Sequence, residues 1–333
     1  MLSIPAVEFK RSRNFWLAPN PDSSHSFPRL VCPISPDALR TPIFTPSLTR
    51  SSKRKHGFAG YLGLESALLR KDFVQIICVR SEEFDAYRED WPRATIFRLP
   101  KSNSSRGIGA TRQWMKKLAE KICPDEFRFV FVLDDSVRSW KGQTLAKDPC
   151  NIFAPHQQVL QDRSSFMSIS LWRVIRHFET GVFAGDQGDL SKFAVVGFFR
   201  YSSRNNCRVA YKRTQVYSAV FLNLTVLEEL EIEYRDIYCW EDLKFNLEVS
   251  GMDAPWNPAP DPTVGGVIVK CQRFAMYKPP IRGGGCSAAL KTGAGAESEQ
   301  PEETVGQKNE LQILLEEFGL ERYVGLFQFH NYL

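Results

Sequence analysis

The chain has 333 residues, 43% of them apolar and 24% charged, with a formal net charge of +5 at neutral pH. These figures suit one large or two smaller globular domains, and no stretch approaches the roughly 18 continuous apolar residues of a membrane span. In the first thirty residues Lys10, Arg11 and Arg13 interrupt the one modest candidate for a secretory signal core. The eight cysteines form no CxxC pair, so free thiols in a reducing compartment are expected rather than a disulfide framework or a zinc site.

Charge is unevenly spread. Residues 1–56 hold nine Lys/Arg against three Asp/Glu, whereas residues 294–333 hold two basic and eight acidic residues. The basic leader, densest at Ser51-Ser52-Lys53-Arg54-Lys55-His56, suits nucleic-acid contact or nuclear entry, or simply a solvated loop.

Residues 1–39 are rich in Pro and Ser without periodicity and read as an irregular leader. Residues 41–47 predict a first strand with Arg50 just beyond its exit, and residues 59–69 a helix. Residues 73–79 predict a second strand, residues 82–87 a helical turn that includes Glu82, and residues 94–99 a third strand. A polar loop carrying Arg106 then runs into a helix over 110–122 that includes Arg112. Phe129-Val130-Phe131-Val132-Leu133 is an unbroken apolar run, a strand buried on both faces, and it stops at Asp134-Asp135. Strands alternating with helices in this way predict an α/β fold with a mostly parallel sheet flanked by helices. The exits of its four strands would then share one rim, where Arg50, Glu82, Arg106, Arg112 and the Asp pair line a single cleft.

Further on, residues 164–179 predict a helix, residues 193–201 and 214–224 strands, 227–235 an acidic helix, and 265–274 a last strand. Trp240-Glu241-Asp242 reads as a helix start whose acids either face a pocket or merely complement the macrodipole. Trp140 and Trp240, each near a candidate acid, are possible stacking platforms for a sugar or base. Residues 282–309 read as a flexible linker, and residues 310–333 as an amphipathic segment too short to bury a core alone.

Asp134-Asp135 alone is equally an acidic turn. Set at a strand exit, the pair suits a divalent cation and, through it, a diphosphate. Arg50, Arg106 and Arg112 suit the diphosphate itself, and Glu241 or Asp242 suits a base taking a proton from an acceptor. Together they fit nucleotide-sugar transfer.

The motifs Ile43-Phe44-Thr45-Pro46-Ser47-Leu48-Thr49-Arg50, Arg106-Gly107-Ile108-Gly109-Ala110-Thr111-Arg112 and Phe131-Val132-Leu133-Asp134-Asp135, followed by Trp240-Glu241-Asp242, are similar to a GT-A glycosyltransferase domain. More narrowly the chain resembles the TET/JBP-associated glycosyltransferase family, which includes the C-terminal domain of the GREB proteins; the likeness spans about residues 41–280. The resemblance implies a GT-A-like domain over 40–281, a UDP-sugar or other nucleotide-diphosphate sugar donor, Mn2+ or Mg2+, and a nuclear (also cytoplasmic) setting. It implies a protein or modified-DNA acceptor, with no membrane involved. By position Thr45, Ser47, Arg50, Arg106 and Arg112 would meet the nucleotide, Asp134 and Asp135 the metal and donor, and Glu241 and Asp242 would carry the base. Two departures stand out: no histidine lies between His177 and His330, where many GT-A enzymes place a late metal ligand, and Ser136-Val137 follow the Asp pair where a third acid often stands. A catalytically inactive scaffold in a transcriptional co-regulator complex therefore stays open, as does a metal-dependent nuclease built on Glu241-Asp242-x-Lys244. Residues 313–327 are similar to the start of a sterile alpha motif, which implies a protein partner for the tail.

Overall fold

The computed structural model describes residues 17–18, 29–30, 39–49, 51, 75–91, 95–100, 107–143, 166–183, 193–201, 211–213, 215–237, 241–250 and 268–278. The chain divides into two compact units, Met1–Thr292 and Gly293–Leu333, and every described residue lies in the first. Outside the described residues lie the expected helix at 59–69, Arg50, Arg106, Trp240, the linker and the SAM-like tail.

In chain order, β1 (Leu17–Ala18) and β2 (Arg29–Leu30) form a small antiparallel pair within the expected leader. Then come β3 (Ile43–Pro46), β4 (Gln75–Val79), a 3-10 turn at Ser81–Glu83 leading into α1 (Phe84–Asp90), β5 (Thr95–Arg98) and α2 (Ile108–Ile122). They are followed by β6 (Phe129–Leu133), β7 (Ser139–Gln143), β8 (Phe166–Ile169), α3 (Leu171–Phe183), β9 (Val195–Arg200) and β10 (Tyr211–Arg213). The series ends with β11 (Ala219–Asn223), α4 (Leu224–Glu229), α5 (Glu241–Ser250) and β12 (Ile268–Tyr277).

Ten strands among the described residues form one sheet in the order β5-β4-β3-β6-β11-β9-β12-β7-β8, with β10 beside β12. The block β5-β4-β3-β6 is parallel, as the strand–helix alternation predicts. Beyond β6 the sheet is mixed: β11 runs antiparallel to both neighbours, and β9 pairs parallel with β12. The fold is α/β with helices on both faces, in keeping with a GT-A-like architecture.

Strand residues alternate between two cores, as a period of two requires. Ile43, Ile77, Phe131 and Phe221 face one cluster with α1 and α3, through Tyr87, Ile175 and Phe178. Phe44, Ile76, Val132 and Leu222 face the other with α2 and α5, through Met115, Leu118 and Phe245. All five β6 residues are buried, so the continuous apolar run is explained by helices covering both sides.

Three local expectations change. Residues 166–169 are a strand, not the first turn of a helix, because they pair antiparallel with β7, which periodicity did not reveal. The helix begins after Ser170, whose Oγ accepts the Arg173 amide at 3.3 Å. The acidic helix is α4, starting and ending earlier than predicted; Asn223 caps it, and Glu231, at φ 55°, turns the chain away. Trp140 is no sugar platform: its ring lies in the core, 4.9 Å from Phe198 and 6.2 Å from Phe131. His177, as expected, simply sits on the helix, edge-on to Phe274.

One carboxylate fixes where β3 begins. Glu179 Oε1, buried on α3, accepts the Arg40 amide at 2.6 Å, the Thr41 amide at 2.7 Å and the Thr41 hydroxyl at 2.8 Å. Removing it orphans buried donors, each of which costs about 1–3 kcal/mol. Glu179→Ala is expected to lose about 2–4 kcal/mol in urea unfolding at neutral pH, with Glu179→Gln recovering much of it.

Candidate active site

The chain leaves β3 toward β4 and β5, then returns to lay β6 on the other side of β3. Strand order thus reverses between β3 and β6, and open α/β sheets bind ligands in the crevice beyond the carboxyl ends at such a point. Ser47 follows β3; Asp134 and Asp135 follow β6. Ser47 Oγ donates to Asp135 Oδ2 at 2.6 Å and shares a 2.7 Å hydrogen bond with the Tyr87 hydroxyl, bridging the two exits. Next to it Thr49 sits at φ 57°, costly for a β-branched residue, and its amide donates to Glu83 Oε1 at 2.6 Å.

The centre of the cluster is Arg112 on α2, whose side chain is 2% exposed. Its Nη2 lies 2.9 Å from Asp134 Oδ1, its Nε 3.0 Å from Glu241 Oε1 and its Nη1 2.8 Å from Asp242 Oδ1. The first is an aligned hydrogen bond, whereas the contacts of Nε and Nη1 act by charge rather than by directed N–H groups. The guanidinium also lies over Tyr234, 5.9 Å from the ring centroid, and Tyr234 stacks on Phe245 at 4.0 Å.

Backbone packing places these groups. A Cβ on Gly109 would fall 2.2 Å from the Arg235 carbonyl oxygen and 2.8 Å from that of Ile237. Only glycine lets segment 235–237 approach α2 so closely, and the Gly109 amide donates to Ile237 O at 3.2 Å. Asn246 on α5 takes the Val216 amide on Oδ1 and gives Nδ2 to the Val216 carbonyl, both at 2.9 Å, with a further contact from Nδ2 to Asp242 O. That clamp sets α5, and so Glu241 and Asp242, against the approach to β11.

On the open side Lys278, just after β12, reaches Asp134 Oδ2 at 2.9 Å and Ser218 Oγ at 2.8 Å. Ser218 stands at φ 65°, and its carbonyl accepts the Asp134 amide at 2.7 Å. Among the described residues three non-glycine residues have positive φ, and two of them, Thr49 and Ser218, flank this crevice.

Burial pushes the Glu241 carboxyl up to about 8, aided by neighbouring Asp242 and opposed by Arg112. Burial raises Asp242 too, against Arg112. Burial works on Asp134 in the same sense, but Lys278 and Arg112 outweigh it and hold this carboxyl below its ordinary range. Glu241 and Asp242 therefore titrate as a pair that keeps a proton at neutral pH, while Asp134 stays ionised.

Of the residues expected from sequence, Arg112, Asp134, Glu241 and Asp242 come together in one cluster. Ser47 and Asp135 meet beside it. Thr45 is fully buried, its Oγ1 accepting Gln75 Nε2 at 3.2 Å, and Glu82 is exposed on the 3-10 turn. Nothing in the sequence motifs points to Lys278, Ser218, Tyr87 or Asn246, which also line or brace the cluster. Lys278 carries only the faint signal of a cation at a strand exit, and Ser218 none, since a serine at positive φ looks like any other.

The residues present do not fit a divalent cation shared by Asp134 and Asp135. Both Asp134 oxygens already face cations, and Asp135 turns toward Ser47. The acids Asp134, Glu241 and Asp242 surround a guanidinium, and no group of three or more His, Cys, Asp or Glu among the described residues is gathered to hold a metal ion.

Two outcomes follow from this packing. Gly109→Ala should cost about 1–3 kcal/mol by forcing α2 from segment 235–237, read as a lower unfolding midpoint. For Glu241, protonated longer in the folded chain than in the unfolded one, stability is full below the unfolded value and falls as pH rises toward about 8. Glu241→Gln should thus unfold like the parent near pH 5 and resist urea better than the parent near pH 9; equal stability of the two at pH 9 would contradict this.

Compared with known protein families, residues 41–252 match the TET-Associated Glycosyltransferase family, well over half of the chain. No curated protein matches it. The matched span runs from the entry to β3 through α5 and so contains Ser47, Arg112, the Asp pair and Glu241-Asp242. The chain belongs to the TET-associated glycosyltransferase family.

Proposed function

We propose that this chain transfers a sugar from a nucleotide-diphosphate donor, a UDP-sugar, to a hydroxyl of a nuclear protein or of modified DNA. The observation that carries the reading is Arg112: one buried cation ties Asp134, at the strand exit of the crevice, to Glu241 and Asp242 at the start of α5. A donor seated at the β3–β6 crevice and an acceptor approaching from α5 would therefore meet at one cluster.

In an inverting displacement the acceptor oxygen bonds to the anomeric carbon as the bond to the diphosphate breaks, and the diphosphate leaves with the electron pair. The acceptor proton passes to a carboxylate. Asp242 suits that role better than Glu241 because its side chain is 20% exposed against 7%. Glu241, holding the pair's proton, orients Arg112. Family membership supports a nucleotide-sugar donor and an acceptor. The surplus of Lys/Arg in residues 1–56 supports a nuclear setting and a nucleic-acid-bound or modified-DNA acceptor. No helix among the described residues is long and apolar enough to cross a membrane.

The inactive-scaffold reading has one observation in its favour: Arg112 pairs with Asp134 and with both base candidates, an arrangement that also serves as a structural lock. The nuclease reading of Glu241-Asp242-x-Lys244 gains nothing from the family.

Release of UDP from UDP-glucose and UDP-N-acetylglucosamine, with and without protein and hydroxymethylated-DNA acceptors, separates the readings. The parent should turn over, and Asp242→Asn should lower turnover about 100–10,000-fold while leaving UDP affinity within about threefold. Full turnover by Asp242→Asn would refute the assignment of the base; no turnover by the parent with any donor would favour the scaffold.

A further inference from the structure

We propose that Lys278 supplies the positive charge that meets the donor diphosphate, with Arg112 as the positioning residue behind it, so that donor binding needs no divalent cation. The inference rests on the glycosyl-transfer reading and deepens it.

Four observations carry it. Lys278 Nζ lies 2.9 Å from Asp134 Oδ2, at the carboxyl end of β6 where the strand order reverses. It is braced there rather than loose: Ser218 Oγ holds it at 2.8 Å, and Ser218 also accepts the Asp134 amide at 2.7 Å, from a backbone held at φ 65°. The side chain of Lys278 is 29% exposed, whereas that of Arg112 is 2% exposed, so of the two cations on Asp134 only Lys278 is open to a ligand. Finally, each Asp134 oxygen already faces one of these cations, so a metal ion bound there would have to share an oxygen with an ammonium or a guanidinium.

The chemistry is suited to phosphate. An ammonium is a compact charge with three donors, able to keep a carboxylate partner while giving an N–H to a phosphate oxygen. A diphosphate that gains negative charge as the glycosidic bond breaks is stabilised by a cation already fixed in place. Asp134 then acts as the group that aims Lys278. Arg112, sealed by Glu241 and Asp242, keeps Asp134 in position from the other side.

Calorimetric titration of the full chain with UDP, in EDTA and in Mn2+, tests this. The parent should bind with the same affinity, within about threefold, in both buffers. Lys278→Met should weaken UDP about 10–100-fold in both, as loss of a charge-assisted hydrogen bond predicts, and Lys278→Arg should recover part of it. The electron paramagnetic resonance signal of free Mn2+ should fall no further with protein and UDP together than with UDP alone. Binding of UDP that EDTA abolishes and Mn2+ restores would overturn the proposal while leaving the glycosyl-transfer reading intact, as would Lys278→Met binding UDP like the parent. Failure of the parent to bind UDP in either buffer would overturn both.

Discussion

A guanidinium that cannot shed its proton is buried in this protein, and the surrounding structure answers to it. Taking Arg112 out of water costs several kcal/mol unless acids surround it at close range, and three do, from β6 and α5. The arrangement overshoots, because three carboxylates face one guanidinium. Lys278 offsets one negative charge from the open side, and the proton kept by the Glu241–Asp242 pair offsets the other. The cluster is therefore close to neutral at physiological pH without a metal ion. Removing a charged member such as Arg112 or Asp134 leaves a buried charge uncompensated, which is more damaging than losing a contact.

The sheet makes this gathering possible by changing character at β6. Toward β3 the strand pairs parallel, which aligns strand exits and opens the crevice; toward β11 it pairs antiparallel, which brings the entry of β11 against the exit of β6. Leu133 faces Ala219 across that ladder, so Ser218 and Asp134 meet just beyond it. Backbone strain at Ser218 is offset by what the turn achieves, since one residue braces both the acid and the lysine. Glycine at 109 serves the same end from the opposite side, removing a side chain so that the approach to α5 can lie on α2.

How much of this was legible in the sequence depended on whether the signal was local. The parallel half was readable because Phe129–Leu133 and its neighbours are short apolar runs separated by helical stretches, a pattern with few alternatives. The Asp pair and Glu241-Asp242 were readable as acids where a core strand or helix ends. β7 and β8 were not, because Ser139–Gln143 owes its strand state to pairing with β12, a partner more than a hundred residues away. Phe166–Ile169 has apolar spacing that serves a helix equally well, and the helix start is marked only by Ser170, whose hydroxyl accepts the Arg173 amide. Asp135 illustrates a different limit: adjacent acids look like one clamp, yet here the chain turns at them, the Val137 amide closing onto the Asp134 carbonyl, and they engage Arg112 and Ser47 separately.

The same geometry bears on whether a lock and a catalyst can be one object. If every member of the cluster were sealed, the ion pairs would be purely structural and the acids would have no proton to exchange with an acceptor. Instead the cluster has a closed end and an open one. Arg112 and Glu241 are buried, Asp134 and Asp242 are partly accessible, and Lys278 is more so. The buried end holds charge in place before any ligand arrives, the preorganisation that makes electrostatic stabilisation effective, because nothing need reorient as the bond breaks. The open end presents both signs, a carboxylate toward α5 and an ammonium toward the strand exits, which is what the proposed transfer, taking a proton on one side and releasing a diphosphate on the other, would use. Packing alone would not require that division: an apolar set of similar volume would hold the same helices at no greater cost in stability.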